Sequence, residues 1–238
     1  MTDSFKCDTY ARIKDILMNN ADKDYDAFNS RIVKSEYPPV GVRTPVIKKL
    51  AKNTPIENRE KILDEFMRDK DKTYELVLYA GCLAARKSAH YGQTRDYLSA
   101  LVPLFGSWAH VDCVTPLLTW ADRAALWRDF RYLLDADGQY QKRFYIMIMF
   151  SCCLNDEYVD SILDTLRCDV QYGQYYVDMA AAWLLAECLV KYYDKTLPLF
   201  ETREFPRFVH NKALQKARES FRIPPDIKGY LNTLKIKS

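Results

Sequence analysis

Residues Pro103-Leu104-Phe105-Gly106-Ser107-Trp108-Ala109-His110-Val111-Asp112 lead into an apolar run ending Pro116-Leu117-Leu118. Glycine followed by serine punctuates a helix start, and Ser107 is the natural N-cap because its hydroxyl accepts from a first-turn N–H. Trp108 and Asp112 then lie four residues apart, on one helical face. An indole beside a carboxylate near the open end of a helix can hold a cationic group. A buried tryptophan beside a surface or capping aspartate is the alternative reading.

The same grammar recurs in both directions. Upstream, Thr44-Pro45 reads as an N-cap followed by a first helical proline, with Val46, Ile47, Leu50 and Ala51 as the apolar stripe. Thr54-Pro55-Ile56-Glu57 reads as a capping box. Helices are expected near residues 5–19, 23–34, 73–87, 94–104, 107–119, 122–134, 139–153, 156–168, 174–193, 195–202, 206–221 and 225–234, besides the two that follow Thr44 and Thr54. Strand-like alternation is scarce, and 238 residues hold only 7 glycines. The chain therefore reads as all-α. Helices pair at intervals of roughly 35–45 residues, the period of HEAT-type repeats. No Pro/Gly/Ser-rich linker divides the chain, so one domain over residues 1–238 is expected. Stacked helix pairs have a concave surface that suits an extended partner.

Composition removes several classes. No apolar run reaches the ~18 residues of a membrane span. The N-terminus lacks the basic and apolar regions of a signal peptide, so a cytoplasmic protein is expected. The seven cysteines form no CxxC pair and mostly sit in apolar helical runs, as buried thiols do. His90, His110 and His210 have no metal or catalytic constellation. P-loop, GxGxxG, GxSxG and HExxH patterns are absent. Neither metal nor cofactor is expected. The 17 Tyr, 11 Phe and 4 Trp read as helix packing rather than as a base-stacking platform.

Charge is uneven. Residues 189–238 carry eleven Lys/Arg and five acids, net +6, whereas the remainder is net −3. A basic quarter is either one face for a polyanion or a solvated helix face. Arg143, opening the helix Phe144-Tyr145-Ile146-Met147, reads as a phosphate contact or as a paired residue. Trp183, among Ala180, Ala181, Ala182 and Leu184, reads as core, although the alanines would let another surface approach.

Taken together these motifs resemble the AlkD family, HEAT-like repeat DNA glycosylases that remove alkylated purines. The resemblance covers nearly the whole chain. It rests on Gly41-Val42-Arg43-Thr44-Pro45, Ser107-Trp108-x-x-Val111-Asp112, Gln141-Lys142-Arg143-Phe144, Ala182-Trp183-Leu184-Leu185-x-Glu187 and Asn211 to Ser220, in that order. It implies a right-handed solenoid with a concave DNA-binding face. It implies that Trp108 and Trp183 flank the deoxyribose of a damaged nucleotide. Asp112 would stabilise an oxocarbenium-like sugar and position the attacking water. Arg143, with Lys142, Arg43, Lys212, Lys216 and Arg218, would contact DNA. The expected partner is alkylated duplex DNA and the expected state a monomer, nucleoid-associated if bacterial. Where the family's second helix carries an aromatic residue facing the duplex, this chain aligns Ile32. That departure, and the shortness of the helix before Pro38-Pro39, keep a non-catalytic scaffold for distorted or branched DNA as the alternative. A protein-binding solenoid is a third reading.

Overall fold

The computed structural model describes residues 8–237. These residues form fourteen α-helices and no strand. They fall into two compact units, divided between Asp122 and Arg123.

The first unit holds α1 (Tyr10–Asn19), α2 (Lys23–Ile32), α3 (Thr44–Asn53), α4 (Arg59–Arg68), α5 (Tyr74–Ala84), α6 (Tyr91–Leu101) and α7 (Trp108–Val114). Helix α5 is its axis. All eleven of its residues are buried, as expected of a helix that is apolar on every side. It packs against α3, α4, α6 and α7. At Gly81 an added Cβ would lie 2.8 Å from a methyl of Val114 and 3.0 Å from the Phe105 ring. The missing side chain is what lets α5 and α7 approach.

Glu75, in the first turn of α5, is buried and accepts from three successive backbone N–H groups: Val40 (3.0 Å), Gly41 (2.9 Å) and Val42 (3.1 Å). A loop that would otherwise bury orphan donors is thereby satisfied. Gly41 has φ +84°, and a Cβ there would sit 2.3 Å from the Asp22 carbonyl oxygen. Only glycine fits both constraints. The Gly41-Val42-Arg43 motif is thus a backbone cradle around one carboxylate.

The second unit holds α8 (Arg123–Phe130), α9 (Gln139–Ile148), α10 (Val159–Cys168), α11 (Tyr175–Lys191), α12 (Tyr193–Glu201), α13 (Arg207–Glu219) and α14 (Pro225–Thr233). Helix α11 is the centre here, packed against α9, α10, α12 and α13. Ala180, Ala181 and Ala182 are fully buried. The surface they admit is that of neighbouring helices. A π-helical turn, Met149–Cys153, follows α9.

Several expectations shift. Residues 5–7 of the first expected helix lie outside the described residues, and α1 is capped by Thr9, whose Oγ1 accepts from Arg12 N. Helix α3 begins at Thr44, with Arg43 in the N-cap position and no side-chain cap. Thr54 does not cap. Its hydroxyl donates back to the Leu50 carbonyl and meets Tyr79 Oη at 2.7 Å. The segment after it is a 3-10 turn, Ile56–Asn58, before α4. Of the cysteines, Cys82, Cys152, Cys153 and Cys188 are buried, but Cys168 is exposed at the end of α10.

Candidate functional site

Helix α7 carries the candidate residues of the first unit. Ser107 caps it as expected, with Oγ accepting from Ala109 N at 3.0 Å. Ala109, His110, Val111 and Val114 are buried. Trp108, Asp112 and Cys113 are the residues of this helix left partly exposed, and the first two lie one above the other. The helix can hardly roll. His110 Nε2 lies 3.0 Å from the Tyr74 carbonyl oxygen, and the two rings stack at 4.6 Å. Thr115 Oγ1 donates to the Val111 carbonyl. Burial therefore fixes which face Asp112 occupies. On α3, Lys48 lies close enough to Cys113 to draw its thiol pKa down, although burial wins and raises it. Lys48 carried no motif in the sequence.

Burial depresses the His110 pKa to about 4. The unfolded chain binds that proton near pH 6.5, so stability from neutral His110 is complete above pH 6.5. It declines as pH falls toward 4, by about 3 kcal/mol in all. Urea midpoints measured from pH 7 to pH 4.5 are expected to fall more steeply for the wild type than for His110→Asn. Parallel pH profiles would contradict the assignment. Burial also lowers the His210 pKa, with Nε2 bonded to the Leu234 carbonyl. Both histidines are hydrogen-bonded core residues.

Arg43, on the loop cradled by Glu75, lies 4.7 Å over the Tyr25 ring and 3.2 Å from Asp22 Oδ2. This ties α2 to the start of α3. Helix α2 itself buries nothing. Phe28 and Ile32, one turn apart, are both exposed.

The second unit carries the other candidate residues. Trp183 is 40% exposed, so it is not the core residue its neighbours imply. Phe150, on the π turn, meets its ring at 5.2 Å, and Lys216 Nζ lies 5.5 Å over it. Phe150 escaped the sequence reading because a π turn leaves no periodic signal. Glu187, the acid of the second Trp motif, is gripped by Arg222 at 2.6 and 2.9 Å and by Lys191 at 3.2 Å. Partial burial opposes its ionisation, but these two cations hold its pKa below the usual range. Its role is to tie α11 to the segment after α13.

Lys142 and Arg143 are both buried, Arg143 to 5% exposure. Arg143 Nη1 donates to the Tyr176 carbonyl at 2.9 Å and Lys142 Nζ to Gln171 Oε1 at 3.1 Å. The structure thus pairs Arg143 with a backbone carbonyl of α11. Lys212 donates to Gln215 and Arg218 to Asn232, both at the surface of α13.

The pattern of a capped Trp–Asp turn in one unit and a half-exposed Trp in the other can be set against known proteins. The family described as DNA alkylation repair enzyme matches residues 13–216. This chain belongs to that family. The match spans both units and every candidate residue up to Lys216, leaving only Arg218 beyond it. Membership carries a role in DNA alkylation repair and DNA binding with it. Comparison with curated proteins and with solved structures returned no match. Among the described residues, no helix is long and apolar enough to cross a membrane.

Proposed function

We propose that this family member is a DNA glycosylase that excises N3- and N7-alkylated purines, such as 3-methyladenine and 7-methylguanine, from duplex DNA. The observation that carries the reading is the α7 turn: Trp108 and Asp112 on one half-exposed face, held there by a capped helix with its other side buried.

The chemistry asks little more. An N3- or N7-alkylated purine is cationic and already a good leaving group. The enzyme has to stabilise positive charge developing on the sugar as the N-glycosyl bond breaks. A fixed carboxylate does this by charge, and electron-rich indole faces add to it. Asp112 supplies the carboxylate and positions the water that attacks C1′. Trp108 and Trp183 supply the rings. A guanidinium carries five N–H donors in a rigid fork, and the bond to Tyr176 fixes the fork of Arg143 for a backbone phosphate. Lys142 adds charge in the same turn. Arg43, Lys212, Lys216 and Arg218 meet duplex phosphates. In this reading the chain is one right-handed HEAT-like solenoid, monomeric, with its concave face on DNA.

The test is release of alkylpurine bases from methylated duplex DNA. Release that tracks Asp112 supports the reading, and equal release by Asp112→Asn removes it. A second reading, a DNA-binding scaffold without base release, is favoured by the ten-residue α2, which has Ile32 where an aromatic is expected. Phe28, exposed one turn earlier on the same face, offers an aromatic in its place. In either case Lys216→Ala is expected to weaken duplex binding uniformly across sequences. It should also reduce the slope of log K against log salt by about 0.9. An unchanged slope would take Lys216 off the DNA.

A further inference from the structure

An aromatic row crosses the second unit. The rings of Tyr140 and Tyr176 lie 5.2 Å apart, Tyr176 and Tyr175 5.1 Å, and Tyr175 and Phe208 6.1 Å. Tyr140 is buried at one end. At the other, Tyr175 is 58% and Phe208 43% exposed. Phe208 also walls an open cleft of about 900 Å³ lined by Arg207, Lys212, Arg218 and Lys235. One carboxylate lies among these cations, Glu219, and it accepts from Gln215. Among the described residues no ion pair reaches Arg207, Lys212 or Lys235. Asn211 fixes the far wall. Its amide donates to the Ile236 carbonyl and accepts from Ile236 N, both at 2.9 Å, which holds Lys235 at the rim.

We infer that this cleft and its two exposed rings bind an unpaired stretch of DNA, with bases stacked on Phe208 and Tyr175 and phosphates over Arg207, Lys212 and Lys235. Four cations against one occupied carboxylate call for a polyanion. Exposed rings beside them single out a polyanion with flat faces to offer, because every base stacks on an aromatic whatever its sequence. In an intact duplex those faces are covered by neighbouring bases. An acidic peptide would use the cations and leave the rings in water. The inference rests on DNA binding, as the proposed function does, but not on base release.

Anisotropy with the full chain tests it on three probes of equal length: oligothymidylate, an abasic strand and a duplex. The wild type is expected to prefer oligothymidylate to the abasic strand about a hundredfold, the scale of two stacked bases. Phe208→Ala should cut that preference about tenfold, leaving the share of Tyr175, while retaining duplex affinity within about twofold. Phe208→Leu, which keeps an apolar side chain there, should cut it too and serves if the alanine variant does not fold. Arg207→Ala should weaken binding to all three probes. Wild-type affinity that is equal for the two single strands would overturn the inference. So would polyglutamate competing as well as oligothymidylate, or a preference undiminished in both Phe208 variants. Asp112→Asn separates the two readings. Strand binding through Phe208 without any Asp112-dependent base release would keep this site and remove the glycosylase, and the reverse result would do the opposite.

Discussion

Asp112→Asn is expected to lower alkylpurine release at least a hundredfold, with duplex affinity within about twofold of wild type. The change is nearly isosteric and keeps a hydrogen-bonding group at the same place. What it removes is the negative charge. A single electrostatic contact to a developing transition-state charge is worth about 10²–10³ in rate. The binding terms come from phosphate contacts elsewhere and should survive. The helix should survive as well. Its cap is Ser107, its anchor is His110 on Tyr74, and its buried side is Val111 and Val114. Far-UV circular dichroism and the urea midpoint of the variant should therefore match wild type. Single-turnover release from methylated duplex is the measurement, and a variant with wild-type rate would refute the assignment of Asp112.

Glu75→Ala is expected to be the most damaging substitution for the fold. Glu75 is buried and takes hydrogen bonds from Val40, Gly41 and Val42. Removing it strands three backbone donors at once. Each buried unsatisfied donor costs about 1–3 kcal/mol, partly relieved by any water that enters. A net loss of about 3 kcal/mol is a large share of the 5–15 kcal/mol that holds most domains together. At a slope of about 2 kcal/mol per molar urea, the midpoint should fall by about 1.5 M. Glu75→Gln keeps one acceptor oxygen and should lose about half as much. An alanine variant as stable as wild type would mean that the loop finds other partners.

Glu75 also shows where the sequence could be read and where it could not. The elements were legible because apolar residues recur at helical spacing over most of the chain. The start at Ser107 carried its own punctuation. Helix ends were less legible. The readings 94–104, 107–119 and 122–134 each finish in 3-10 turns, Val102–Leu104, Thr115–Leu118 and Arg131–Asp135. Two of these contain a proline that removes a backbone donor. Thr54-x-x-Glu57 looked like a capping box because the pattern is local, whereas the partner that captured the hydroxyl, Tyr79, is 25 residues away. The face shared by Trp108 and Asp112 follows from spacing alone. That it is the half-exposed face follows only from the burial of His110, a residue that composition assigns to surface as readily as to core. Lys142 and Arg143 were read as cations for DNA. Their burial depends on Gln171 and the Tyr176 carbonyl, 29 and 33 residues downstream. The aromatic count was read as packing, which holds for Tyr79, Tyr145 and Phe144 but leaves Tyr175 and Phe208 in water.

The π turn after α9 sets a difference in phase. One extra residue in a helical turn rotates everything beyond it by about 100° relative to a regular helix. Arg143 lies before the turn and Phe150 within it. A chain lacking one residue of Met149–Cys153 would keep Arg143 on the Tyr176 carbonyl yet turn Phe150 away from Trp183. The guanidinium and the Phe150 ring are thus set by separate stretches of one helix. A single-residue deletion would change the orientation of one and spare the other, so the Phe150 ring can be re-aimed against Trp183 without disturbing the bond from Arg143 to the Tyr176 carbonyl.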